Sequence, residues 1–259
     1  TEKLECKYEF EHSLKAFQDS TEYEKVYSLW EHASQASKVI NCCLKVRTRE
    51  LPVGNKAFFD DFSKFNLHTL DLQINLDPDS NDWNNIIELI RRSDLKFLGL
   101  ALNYYWDPFN RCFSIENSFF EKLCSIIGEK RDLRKLGLTF KSLKNRNKEV
   151  RNSPLESMLL GLSKLQGLIV DFGREEFFLE GEFSAFLEAL MKCKWLNFFD
   201  LKVNLENQKD LGHIFHLLES DFFMSLSHYN VELTGIRSRQ MYMKENFIEK
   251  YKIKRSSEY

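Results

Sequence analysis

The sequence predicts an α/β solenoid: a curved sheet of parallel strands on the concave side, with helices on the convex side. Three observations predict it. LKFLGLALN, residues 95–103, sets leucines at Leu95, Leu98 and Leu100 and an asparagine at Asn103. LHTLDLQIN repeats that spacing at Leu67, Leu70, Leu72 and Asn75, starting 28 residues earlier. Between such stretches the apolar period lengthens from strand-like to helix-like, so the two element types alternate. Alternation at about thirty residues per unit calls for parallel strands joined by helical crossovers.

The elements follow in order. LECKYEF alternates Leu4, Cys6, Tyr8 and Phe10, the pattern of a half-buried strand. From about Ser13 to His32, Leu14, Phe17, Tyr23, Val26, Leu29 and Trp30 recur mostly at helical steps. Residues 1–36 are therefore expected to form a capping strand and helix, which the open end of a repeat array needs. Residues 37–236 then hold about seven irregular units. Their apolar triplets are Val39, Cys42, Leu44; Leu67, Leu70, Leu72; Leu95, Leu98, Leu100; and Leu133, Leu136, Leu138. Leu165, Leu168, Val170; Leu196, Phe199, Leu201; and Leu226, Tyr229, Val231 complete the set, and the starts are 28 to 38 residues apart. Asn204 and Thr234 stand where the first two matches have Asn. Residues 237–259 are expected to be a basic tail or a capping helix.

Helices are expected over Asn55 to Phe65, Asp82 to Arg92, Ser114 to Glu129, Ser153 to Lys164, Phe178 to Cys193 and Asn207 to Met224. The rival architecture is a doubly wound sheet. It lacks a shared strand text and commonly opens on a glycine-rich turn, which is absent here.

The L-x-x-L-x-L-x-x-N text with a helix in each unit resembles leucine-rich-repeat proteins of the long, ribonuclease-inhibitor-like kind. The resemblance covers about Val39 to Thr234 and implies a horseshoe whose concave strand face binds another protein. Arg47, Lys141 and Gly173 depart from it by taking the Asn position in three units, so irregular turns are expected there.

Side chains alternate along a strand, so residues between the leucines point to the concave side. The middle units put Phe97, Gly99 and Ala101, Lys135 and Gly137, Ile169, and Phe198, Asp200 and Lys202 on that side. Thr139, Gly167 and Asp171 share it, while Asn41, Cys43, Lys45, Thr69, Asp71, Gln73, His228, Asn230 and Glu232 make its two ends polar. Small residues beside a few large apolar ones make a shallow trough with a polar rim, the anatomy of a protein interface. The segment from Lys130 to Arg151 carries nine Lys or Arg against Asp132 and Glu149. Its loop-like part, Lys141, Lys144, Arg146, Lys148 and Arg151, with the basic end from Lys250 to Arg255, is a candidate phosphate contact or a solvated loop and tail. Glu175, Glu176, Glu180, Glu182 and Glu188 make the following unit acidic.

Catalytic and metal patterns are sparse. No phosphate-binding glycine loop, nucleophile elbow or H-E-x-x-H string is present. His213 and His216 are three apart without an evident third ligand. Asp77, Asp79, Asn81 and Glu88 match four positions of a calcium loop, but Asp82 replaces its glycine, and a helix-capping turn is the simpler reading. Tyr104, Tyr105, Trp106 and Phe109 suit either base stacking or an inter-repeat loop packed on the rim. Six cysteines without a C-x-x-C pair, two of them adjacent, suit reduced thiols in an intracellular, cytoplasmic setting, with an organelle or the nucleus as alternatives. No apolar run reaches the length of a membrane span, so no membrane insertion is expected. The chain begins at Thr1 and not at Met, which leaves an upstream tag, presequence or domain open and gives no reading of targeting.

The function these features imply is non-enzymatic: a scaffold or assembly subunit holding a protein partner, or neighbouring subunits, on the concave face, without metal or cofactor. The alternatives are an RNA-associated subunit using 130–151 and the tail, and the substrate-recognition part of a modular protein.

Overall fold

The computed structural model describes the backbone of residues 5–11, 41–48, 67–76, 82–104, 117–141, 154–172, 178, 180–206 and 208–236. Side chains are described for 67–72, 84–101, 120–140, 154–172, 178, 180–206 and 208–236. The helices expected over 13–32 and 55–65 and the calcium-like turn at 77–81 lie outside the described residues. So do the aromatic loop 105–109 and the tail.

The chain is α/β, with eight parallel strands in one sheet. They are β1 (Glu5–Glu11), β2 (Asn41–Thr48), β3 (Leu67–Leu76), β4 (Phe97–Tyr104), β5 (Lys135–Lys141), β6 (Gly167–Asp171), β7 (Phe198–Asn204) and β8 (His228–Thr234). Their order in the sheet is their order in the chain. A doubly wound sheet would reverse direction once; this one advances without a reversal. Between β3 and β8 run α1 (Asp82–Arg92), α2 (Asn117–Gly128), α3 (Pro154–Gly161), α4 (Glu182–Met191), α5 (Leu211–Leu218) and the single turn α6 (Asp221–Met224). Each of α1 to α4 lies against the next. Parallel strands that always advance the same way, with crossovers of one hand, put every helix on the same face.

Register follows the leucine text. Leu70 pairs with Leu98, Leu98 with Leu136, Leu136 with Leu168, Leu168 with Phe199 and Phe199 with Tyr229. Two residues on, Leu72, Leu100, Leu138, Val170, Leu201 and Val231 form a second row. Except for Tyr229, which is partly buried, both rows are buried, as are Ile86 and Ile90 of α1, Leu123 and Ile127 of α2 and Phe186 and Leu190 of α4. Apolar area removed from water between these two layers is the main stabilising term.

The first unit departs from expectation. Leu44, not Cys42, pairs with Leu70, and Val46 pairs with Leu72, with a register shift between Cys42 and Cys43. The pairing thus sets Leu and Val against the two leucines where the sequence reading had set Cys and Leu. Arg47 pairs with Gln73 and does not occupy the Asn position. Thr48 ends that strand instead. A further difference is that the helix expected over Asn207 to Met224 is broken. Ser220, with φ −60° and ψ 153°, is extended and separates α5 from α6.

The connection from helix to strand recurs from unit to unit. The N–H groups of Ser93, Lys130, Leu162 and Cys193 donate to the carbonyls of Ile90, Ile127, Leu159 and Leu190. The carbonyls of Lys130, Leu162 and Cys193 then accept from Leu133, Leu165 and Leu196, the first leucine of each following triplet. These bonds satisfy the orphan carbonyls at each helix end. Lys130 adds a link of its own. Its half-buried ammonium donates to the carbonyls of Arg91 at 2.7 Å and Ser93 at 2.8 Å, and burial holds its pKa below the usual lysine value. Lys130 thus ties the α2–β5 turn to the end of α1.

At the strand exits, the Asn position works as the repeat text implies in one unit that can be followed. Asn204 Oδ1 accepts from Glu206 N–H at 2.9 Å, and Asn204 pairs in register with Thr234. Gly235 follows with φ 74°, where an added Cβ would collide with the Asn204 amide oxygen. Gly235→Ala should therefore cost about 2 kcal/mol, from a left-handed backbone and overpacking together. A urea titration of the single variant and of Asn204→Ala/Gly235→Ala checks this. The double variant should lose less than the sum of the two single losses. Strict additivity would show that the two side chains do not meet.

Candidate functional site

The sheet face opposite the helices carries three rows, set by the strand pairing. The first row, nearest the strand entrances, runs Thr69, Phe97, Lys135, Gly167, Phe198, His228. The second runs Asp71, Gly99, Gly137, Ile169, Asp200, Asn230. The third runs Gln73, Ala101, Thr139, Asp171, Lys202, Glu232. The expected residues Phe97, Gly99, Ala101, Lys135, Gly137, Ile169, Phe198, Asp200 and Lys202 are thus brought together on one surface.

Their surroundings differ. Phe97 is 38% exposed and Ile169 48% exposed, while the leucines beside them in sequence are buried. The Lys135 ammonium stands 5.6 Å from the centroid of the Phe97 ring, a cation–π approach that also lays the lysine stem along the face. The Phe198 ring stacks on His228 with centroids 4.1 Å apart and planes 9° from parallel. Lys135 and Phe198 close over Gly167, which is buried: a Cβ there would meet the lysine Cγ at 3.4 Å and the phenylalanine Cβ at 3.7 Å. At Gly137 the nearest neighbours of such a Cβ are the Gly99 Cα at 3.7 Å and the Leu98 carbonyl oxygen at 3.9 Å, so the floor there is bare backbone.

Two features narrow the expected trough. Gly99 is not open floor: the Asp71 carboxylate lies over it, 2.6 Å from where a Cβ would stand. Asp200 and Lys202 engage their neighbours on β8, Asp200 accepting from Asn230 Nδ2 at 2.8 Å and Lys202 standing 4.0 Å from Glu232. The open part is therefore the dent between Phe97, Lys135, Ile169 and Phe198, floored by Gly137. Asp71 and His228, which alternation placed at the polar ends of this face, reach its middle: Asp71 lies over Gly99 and His228 stacks on Phe198.

Three described cations of the basic segment serve different places. Lys130 caps a helix end, Lys135 belongs to the open face, and Lys141 closes β5, paired with Asn103, where a loop was expected. Lys144, Arg146, Lys148 and Arg151 lie outside the described residues. His213 Nε2 stands 3.5 Å from Glu188, and among the described residues no three His, Cys, Asp or Glu side chains are grouped to hold a metal. Glu88 is bonded to Arg91 and Arg92 at 2.5 Å each, chiefly Arg92 holding its carboxyl below the usual glutamate pKa. The Cys193 thiol is buried and pushed up to about 11, and burial raises that of Cys124 further, so neither is poised as a nucleophile. No helix among the described residues is long and apolar enough to cross a membrane.

Compared with protein-family models, with curated proteins and with solved structures, the chain finds no match.

Proposed function

We propose that this chain is a leucine-rich-repeat horseshoe that binds a protein partner on its open sheet face, as a scaffold or a subunit of an assembly, without catalysing a reaction. The observation that carries the reading is the pair of large apolar side chains, Phe97 and Ile169, left exposed on the uncovered face of a sheet whose opposite face is buried. Exposed apolar groups grouped around a bare floor and rimmed by charge are how binding surfaces look, since a solvated face has no use for them. In-register leucines, a helix in every connection from β3 to β8 and the recurring helix-to-strand turn support the repeat reading.

The test is capture of the native complex with cross-link mapping, comparing the parent chain with Phe97→Asp and Phe198→Asp. The cross-links should map to β4–β7, and each variant should lose capture by at least about a hundredfold, as truncating central aromatic anchors does. Circular dichroism and the urea midpoint should stay near parental values, because neither ring is in the core. Capture unchanged in both variants would remove this face as the binding surface.

A further inference from the structure

The open face sorts its charges along the strand direction. At the strand entrances stand Lys96 and Arg134, both exposed, and Lys135 just inside them. They outnumber the nearby acids. Asp132 is taken by Lys164 at 2.5 Å, and the Asp94 carboxylate acts on the Lys130 ammonium. Toward the strand exits the balance inverts. Across β3 to β8, Asp71, Asp171, Asp200 and Glu232 occupy the second and third rows against Lys202, and the pairing continues those rows with Lys45 and Arg47 on β2 and Glu9 and Glu11 on β1, six acids to three cations in all. Asp71 makes no hydrogen bond or ion pair to any described residue. Between the two margins lies the apolar dent of Phe97, Ile169 and Phe198 over Gly137. The three rows span about 13 Å along the strands, and β4 to β7 span about 14 Å across them.

We infer that the partner presents an α-helix laid across the strands of this face, with an apolar stripe, acidic residues along the flank toward the strand entrances and Lys or Arg along the flank toward the exits. The inference rests on the open-face reading above and deepens it by naming the partner's chemistry. The dimensions fit: about 14 Å is the rise of about ten helical residues, and 13 Å accommodates the diameter of one helix with its side chains. The apolar stripe meets Phe97, Ile169 and Phe198. The acidic flank meets Lys96, Arg134 and Lys135; the basic flank meets the carboxylates of Asp71 and Asp200, the latter bonded, among the described residues, only to the neutral Asn230 amide. Opposed flanks also fix direction and rotation, because a helix turned end for end would set like charges against each margin.

A displayed library of random peptides, long enough for three helical turns, selected on the full chain tests this. Enriched peptides should carry acidic residues on one side of an apolar stripe and basic residues on the other. Lys96→Glu/Arg134→Glu/Lys135→Glu should weaken them by at least about tenfold, and selection on that variant should favour a basic flank at the same position. Enrichment of peptides that require Phe97 but show no charge sorting would overturn this inference and leave the open-face reading standing. Peptides that bind Phe97→Asp and Phe198→Asp as well as the parent would sink both. Absence of any enriched peptide, or steeply salt-dependent binding of single-stranded RNA lost in the triple variant, also counts against the helix partner.

Discussion

Phe172→Ala will lower the stability of this chain by about 3–5 kcal/mol, the cost of removing a fully buried aromatic side chain whose site cannot collapse. Phe172 is wholly buried one residue past β6, its N–H donating to the Lys202 carbonyl of β7. Its ring stacks on Phe140 with centroids 6.1 Å apart. It meets Phe178 edge-on at 4.9 Å and Phe186 of α4 at 6.3 Å. The ring therefore joins the β5 unit to the β6–α4 unit, and an alanine there leaves all three ring partners facing a void. Because each strand pairs only with its chain neighbours, this weakens the coupling between the two sides of the array as well as the site itself. The urea midpoint should fall and the transition should broaden, with Phe172→Leu losing less than half as much. A loss under about 1 kcal/mol would show that the cluster relaxes into the space, contrary to its close packing.

What the sequence disclosed follows from how each signal is encoded. The strands from β3 onward were legible because Leu, Leu and Leu at fixed offsets leave one register with both rows buried. In β2 the apolar residues are Cys42, Leu44 and Val46, all at alternate positions. A slip of two residues keeps the same face inward, so pattern alone does not separate the two alignments; only pairing with Leu70 and Leu72 does. The break between α5 and α6 was hidden for a similar reason. Apolar Phe222 and Phe223 continue the helical spacing beyond Leu218, and the period carries no mark of the extended backbone at Ser220.

The open face was legible in membership and less so in shape. Alternation assigned Phe97, Ile169 and Phe198 to one side. It does not encode that Asp71 reaches over Gly99 from the adjacent strand, or that Lys135 and Phe198 close over Gly167. Those contacts join residues about thirty positions apart, and they depend on which way long side chains lean. The described cations of the basic segment are a further case. Its charges are contiguous in sequence, yet Lys130, Lys135 and Lys141 fall on a helix-end cap, the open face and a strand end. Contiguity along a chain that turns every few residues is a poor guide to a surface patch.

Gly161→Ala is the second large effect, and its sign separates two physical terms. Gly161 ends α3, and helix propensity alone would make alanine more stable there by about 1 kcal/mol. Packing argues the other way. A Cβ at Gly161 would collide with the Gly128 carbonyl oxygen at the end of α2, and would stand 2.8 Å from its carbonyl carbon and 3.1 Å from its Cα. The obstacle is backbone rather than the tip of a flexible side chain, so relief requires the two helices to move apart. Gly128 is tight in return, an added Cβ there lying 3.1 Å from the Met158 Cα. Separating α2 from α3 loosens the contacts that Leu123, Ile127, Leu155 and Leu159 make beneath them. A net loss of about 3 kcal/mol is expected, with overpacking well above the propensity gain. Gly128→Ala should lose less, because its contact is tight without overlap. Stabilisation by Gly161→Ala in a urea titration would mean that α2 and α3 do not meet through these glycines, and that propensity, not backbone contact, selects the residue at this crossing.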